Sequence, residues 1–248
     1  MTENTIIDYA GYDYKKDFWS NKQRQYEDSC ERNTIQRCLK KIGVNNAKIM
    51  DAGCGFGRLF PSYSSFGSSF VLFDYAQNML DEAKESIDKE FTVEYLQGSL
   101  YEIPYDENEL DVILSVRTLH HLNNPGSFFS EAHRLLKKGG HFIFEIPNKR
   151  HIIEIARFIL RRSSHNPFSS SPYERSKDYY NFHPTMIKKE LQSLGFSIIS
   201  MKSTSFFRHR LFKSILPNKL LVILDSLCQQ LLSFLKITPS IFVTCKKI

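Results

Sequence analysis

The sequence is poor in the features that mark secreted, zinc-binding or membrane-spanning chains. Its five cysteines are odd in number and include no Cys-x-x-Cys pair. That argues against a disulfide framework or a zinc site and fits a reducing, cytoplasmic setting. No uninterrupted apolar run approaches the ~18 residues that a spanning helix needs. Residues 1–8 show neither a basic n-region nor an apolar h-region, so no signal peptide is expected. Internal repeats are absent. Acid is scarce in the second part of the chain: residues 148–248 hold 17 Lys and Arg against 5 Asp and Glu, whereas residues 1–147 hold 16 against 22. A basic half suits an anionic substrate, a membrane surface or nucleic acid, or it is a solvated face that keeps the chain soluble.

What is present centres on residues 47–60. Ile49 and Met50 end a short apolar segment, Asp51 closes it, and Ala52, Gly53, Cys54, Gly55, Phe56 and Gly57 follow. Alternate glycines remove Cβ atoms where the backbone turns sharply and where a ligand approaches the main chain. A strand, a Gly-rich turn and a helix start together present backbone N–H groups to a nucleotide-like ligand. The dinucleotide fingerprint requires a glycine where Arg58 stands, and no Gly-Lys-Ser/Thr follows, so a dinucleotide site is weakened and a P-loop is excluded. A second apolar run, residues 70–73, ends in Asp74, 17 positions after Gly57. An acid there in a βαβ unit sits beside a ribose and accepts its hydroxyls.

Asp-Ala-Gly-Cys-Gly-Phe-Gly, with Asp74-Tyr75-Ala76-Gln77-Asn78-Met79 after it, resembles motif I and the next motif of the class I S-adenosylmethionine (SAM) dependent methyltransferases. The resemblance covers residues 47–147 by motif and 182–248 by rhythm. It implies an α/β, doubly wound, seven-stranded and mostly parallel Rossmann-like sheet in a single domain over 1–248. Residues 1–43 would form an N-terminal cap. Helical insertions would follow strand five (148–182, a lid) and lie between strands six and seven (203–240). It implies SAM as cofactor, held by Asp51, Ala52, Gly53, Cys54, Gly55, Gly57, Asp74, Tyr75, Met79, Ser99, Leu100 and Ser115. The family usually carries an acid where Ser99 stands, so a serine there offers the adenine one uncharged hydrogen-bond partner.

The chain supports that order. Periodicity predicts a helix from about Lys22 to Lys41, with Tyr26, Cys30, Thr34 and Cys38 near one stripe, ended by Gly43. Aromatic residues crowd 1–21. Strands are expected at residues 70–73, 92–95, 110–115, 141–146, 196–201 and 241–245. Short helices are expected at 58–63, 77–87, from Pro125 to the Gly139-Gly140 pair, and at 184–194. The run 110–115 is apolar almost throughout, as a parallel strand buried on both faces should be. Within 203–240, Leu220, Leu224, Leu227 and Leu231 share a helical stripe while Asp225, Gln229 and Ser233 lie off it. A stripe so wide must bury against the domain's own core, a dimer partner or an anionic membrane.

Beyond strand four stand Ser115-Val116-Arg117-Thr118-Leu119-His120-His121. An imidazole titrates near neutrality, so His121, and next to it His120, are candidate bases for a phenol or alcohol nucleophile; the other reading is packing beside the cofactor. Arg117 could meet an anionic group of a substrate or simply lie exposed. Base-amine methyltransferases usually show Asp/Asn-Pro-Pro-aromatic at this point, and no Pro-Cys nucleophile is present, which argues against nucleic acid as the acceptor. The expectation is transfer to an O- or N-nucleophile of a small, apolar or aromatic molecule. A lipid- or quinone-type acceptor at the membrane, a non-catalytic scaffold and an RNA acceptor stay open.

Overall fold

The computed structural model describes Trp19, residues 24–177 and residues 179–248. The expected aromatic cap over residues 1–21 therefore lies outside the described residues except at Trp19. Helix α1 (Gln25–Ile42) ends where Gly43 adopts φ +69° and its N–H returns to the Lys40 carbonyl, a left-handed cap that suits glycine. Strand β1 (Ala47–Ala52), β2 (Gly67–Asp74), α2 (Gln77–Ser86), β3 (Val93–Gln97), β4 (Leu110–Ser115), α3 (Pro125–Leu135) and β5 (Leu136–Pro147) then alternate. They are followed by α4 (Ile152–Ile159), a small hairpin β6 (Tyr173–Ser176) and β7 (Tyr179–Asn181), α5 (Pro184–Ser193) and β8 (Phe196–Thr204). Helices α6 (Arg210–Ile215) and α7 (Asn218–Leu232) and strand β9 (Ser240–Lys247) complete the chain.

The main sheet has seven strands in the order β3-β2-β1-β4-β5-β9-β8. All neighbouring pairs are parallel except those of β9, which runs antiparallel to both β5 and β8. Parallel strands need both faces covered. One face packs against α3 and α5 through Phe128, Phe129, Ile187 and Leu191, and the other against α1 and α2 through Ile35, Leu39, Leu80 and Ala83. Chain order reverses between β1 and β4, and the crevice at the carboxyl ends of these strands is where open α/β sheets bind ligands.

Several expectations change. Residues 58–63 are not an α-helix: two 3-10 turns, Phe60–Ser62 and Ser64–Phe66, carry the chain to β2. Pro61 has no N–H to extend a ladder, and too few residues separate the glycine turn from the strand for a full helix. The Gly139-Gly140 pair does not stop α3. Leu136 caps that helix, and the glycines form a register break within β5. The 148–182 insertion, expected to be helical, contains the β6–β7 hairpin as well as α4. Helix α7 docks by the side opposite to its leucine stripe. Leu221, Asp225 and Gln229 are its buried residues, while Leu220, Leu227 and Leu231 are exposed.

That inversion has a polar cause. Tyr26 of α1 donates to Asp225 Oδ1 at 2.8 Å, and the Phe206 N–H donates to the same oxygen at 2.7 Å. Gln229 Nε2 donates to Thr34 Oγ1 at 2.9 Å, and the Ser203 N–H donates to Ser233 Oγ at 3.0 Å. Each polar group lost from water is thereby hydrogen-bonded, which is the condition for burying it.

Candidate functional site

A concavity lies at the β1/β4 crevice and holds about 1030 Å³ of empty space, part of it open to solvent. Its wall comes from the turns after four strands: Gly53 to Leu59 after β1, Asp74 to Met79 after β2, Ser99 to Tyr101 after β3, and Val116 to Leu122 after β4. Gly53 takes φ +83°, and a Cβ there would stand 2.5 Å from Thr118 Oγ1. Gly55 takes φ +53°, and nothing lies within 4 Å of a Cβ built on it, so a side chain at that position would project into the cavity. The backbone here is shaped for close approach by a ligand.

Asp74 closes the second side. Its Oδ2 accepts the Gly55 N–H at 2.7 Å and its Oδ1 accepts the Ala76 N–H at 3.0 Å. Burial pushes its pKa up, and these backbone donors oppose that shift. Both oxygens keep a lone pair for a ligand hydroxyl. Asp51 lies deeper, accepts the Tyr63 hydroxyl at 2.8 Å, and is pushed up to about 7, mainly by burial and in part by Asp74, against the pull of Tyr63 and Arg58. Ser99 lines the cavity and turns its Oγ to the Tyr101 N–H at 3.2 Å; Leu100, Tyr75 and Met79 supply apolar surface beside it.

Of the residues named from sequence, Asp51, Gly53, Cys54, Gly55, Asp74, Tyr75, Met79, Ser99, Leu100 and His121 share this wall. Ala52, Gly57, Ser115 and His120 do not. Ala52 and Ser115 are wholly buried inside their strands. Gly57 backs onto α2, where a Cβ would meet Ile87 Cδ1 at 3.1 Å and Ala83 Cβ at 3.3 Å. His120 sits behind His121, ring centroids 3.8 Å apart, and stacks on Tyr179 of the hairpin at 5.5 Å. Burial depresses both imidazoles, His121 to about 4, so both are neutral at pH 7.

The sequence reading did not single out Trp19, Phe56, Arg58, Leu59 or Tyr101 as wall residues, nor Val116, Thr118 and Leu122 within the segment after strand four. It also missed the ion cluster that fixes two of the turns. Glu31 of α1, almost fully buried, accepts Arg58 Nη2 at 2.7 Å and Arg117 Nη2 at 2.5 Å. Burial would raise its pKa, but Arg117 and Arg58 outweigh burial and hold the carboxyl below the usual range. Arg58 also pairs with Asp28, and its guanidinium lies 3.7 Å from the Trp19 ring centroid. Arg117, with φ +59°, is thus turned to the protein's own carboxylate. The available signal was the acids Glu27 and Glu31, four apart on α1 beside its apolar stripe.

Residues 50–144 match the sequence family described as a methyltransferase domain. Over those residues the chain is similar to methyltransferase domains. An uncharacterized methyltransferase of Schizosaccharomyces pombe is 31% identical over 119 residues, 44% of this chain and 42% of that protein. A ubiquinone biosynthesis O-methyltransferase of Alkalilimnicola ehrlichii is 30% identical over 117 residues, 46% of this chain and 47% of that one. The match thus spans less than half the length of each of these relatives. The chain also shares its fold, at 15% identity and a TM-score of 0.60, with magnesium protoporphyrin IX methyltransferase from Synechocystis PCC 6803, solved with bound SAH. That likeness covers 98% of this chain and 90% of that one.

Proposed function

We propose that the protein binds SAM in the β1/β4 crevice and transfers its methyl group to an oxygen or nitrogen of a small molecule with an apolar or aromatic body. The observation that carries this reading is the pairing of a Cβ-free approach at Gly55 with the Asp74 carboxylate across the same cavity. Asp74 would accept the ribose hydroxyls, Tyr75, Met79 and Leu100 would flank the adenine, and Ser99 would offer it a hydrogen bond. When bound, SAM would supply an electrophilic methyl on a sulfonium centre. The chain's own work is then alignment, exclusion of water and acceptance of the acceptor's proton.

His121 is the wall residue placed for that proton, since its ring is neutral at pH 7 and faces the cavity beside Tyr101 and Leu122. Trp19, Val116 and Leu122 add apolar surface for the acceptor. The name of the Alkalilimnicola relative supports oxygen over nitrogen. Calorimetry tests the cofactor step, with micromolar SAM affinity expected, about 8 kcal/mol. Absence of binding to the wild-type protein overturns it. Labelled SAM incubated with cell extract, split into lipid and aqueous phases, then locates the acceptor.

A further inference from the structure

Helix α7 is folded with its polar side inward, so its leucine side faces outward. Ile223 is 58% exposed, Leu227 51% and Leu231 70%, and Phe234 just beyond the helix is 75% exposed. Neighbouring α6 adds exposed Leu211 and Ile215. Water is a poor solvent for such a face. The orientation is not a packing accident, because Asp225, Gln229 and Ser233 are locked to Tyr26, Thr34 and the Ser203 backbone by the hydrogen bonds described above. No other described helix or strand covers the outer face.

Charge selects the occupant. Residues 203–240 contain five Lys and Arg and a single acid, Asp225. That acid is buried on the inner side, so the insertion exposes no carboxylate. Arg208 and Lys213 lie within reach of Glu27, whereas Arg210 and Lys219 stand exposed at the starts of α6 and α7. A second copy would bring the same positive surface to the contact, while an anionic lipid surface complements it. No described helix is long and apolar enough to cross a membrane. We infer that α6 and α7 form an in-plane docking face for an anionic membrane, with Leu227, Leu231 and Phe234 entering the headgroup–acyl boundary and Arg210 and Lys219 meeting lipid phosphates. This inference is independent of the cofactor reading.

Flotation with phosphatidylcholine vesicles, with and without phosphatidylglycerol, tests it on the full chain. Recovery is expected with the anionic vesicles and falls in high salt. Arg210→Gln with Lys219→Gln should lower the partition coefficient roughly twenty-five-fold, at about five-fold per charge near the surface. Leu227→Glu with Leu231→Glu should abolish recovery, with an unchanged thermal midpoint as the sign of intact folding. Equal recovery from both vesicle types, or none from either, overturns the inference. So does light scattering that shows a dimer dissolved by the two glutamates in a protein that does not float.

Discussion

The Asp74 carboxylate, at the end of one strand, accepts the backbone N–H of Gly55, in the turn after the neighbouring strand, at 2.7 Å. This bond holds the glycine turn open and aims the acid along the same cavity. Replacing Asp74 by Ala removes the tether and, on the proposed cofactor reading, the acceptor for the ribose hydroxyls. Hydrogen bonds to a charged group contribute about 1.5–3 kcal/mol, so SAM affinity should fall by roughly ten- to a hundred-fold in calorimetry. Gly55→Val should weaken binding further, since a branched side chain strains φ +53° and fills the approach.

The Glu31 cluster gives a stability prediction. Removing the carboxylate in Glu31→Ala leaves the Arg58 and Arg117 guanidiniums facing each other in a largely buried place. Breaking a buried pair from one side costs about 3–5 kcal/mol. Denaturant unfolding should show a loss of that order, with Glu31→Gln intermediate because an amide oxygen can still accept. A loss below about 0.5 kcal/mol, the range of ordinary surface changes, would mean that the cluster is not what fixes the two turns.

Asp51 sets a pH dependence. Burial raises its pKa to about 7, well above the ordinary value of about 3.9 for an unfolded aspartate. A carboxyl raised on folding contributes stability that is full below the unfolded pKa and is lost as pH rises to the folded one. Between pH 4 and 7 the wild type should therefore lose stability relative to Asp51→Asn, and above pH 7 the difference should level off. Thermal midpoints of the two proteins across that range provide the check, and parallel curves would contradict the assignment.

Much of this site was legible because its signals are local. The glycine turn, Asp74 and the run 110–115 each declare themselves within a few residues, and β4 spans Leu110–Ser115 as the apolar run implied. The misses depend on partners distant in sequence. Tyr26 and Asp225 are 199 positions apart, so periodicity could show that α7 has two faces but not that its polar face had a hydrogen-bonding bed to lie in. Glu31 and Arg117 are 86 apart, and an isolated arginine after a strand gives no hint of the helix that neutralises it. The hairpin at 173–181 was hidden by serine-rich, polar sequence with almost no alternation of apolar residues.

The two histidines separate by position. His121 lines the cavity, whereas His120 does not; both rings pack against Tyr179, His120 stacked at 5.5 Å and His121 edge-on at 5.0 Å. Once the acceptor is known, His121→Ala should lower kcat by about a hundred-fold or more, the range for loss of a general base, with SAM affinity little changed. His120→Ala should act more weakly, through the seating of its neighbour. Because burial depresses His121 to about 4, the acid limb of the rate profile should fall near pH 4, with no inflection near 6.5 from this ring. A limb near 6.5 that vanishes in His121→Ala would show the ring solvated rather than buried in the working enzyme.

The inverted helix yields a prediction opposite to the usual rule for amphipathic helices. Asp225→Leu makes α7 more apolar on the side that is already buried, yet it strips the acceptor from the Tyr26 hydroxyl and the Phe206 N–H. Each buried donor left without a partner costs about 1–3 kcal/mol, so the total should be about 3 kcal/mol. Leu231→Gln removes a leucine from an apolar stripe, but that leucine is 70% exposed and packs little. Exposed substitutions usually stay within about 0.5 kcal/mol, so this one should be close to neutral. Urea unfolding of the two variants decides the matter by rank. If Leu231→Gln is the costly change and Asp225→Leu the silent one, the helix sits with its leucines inward and the outward face is polar.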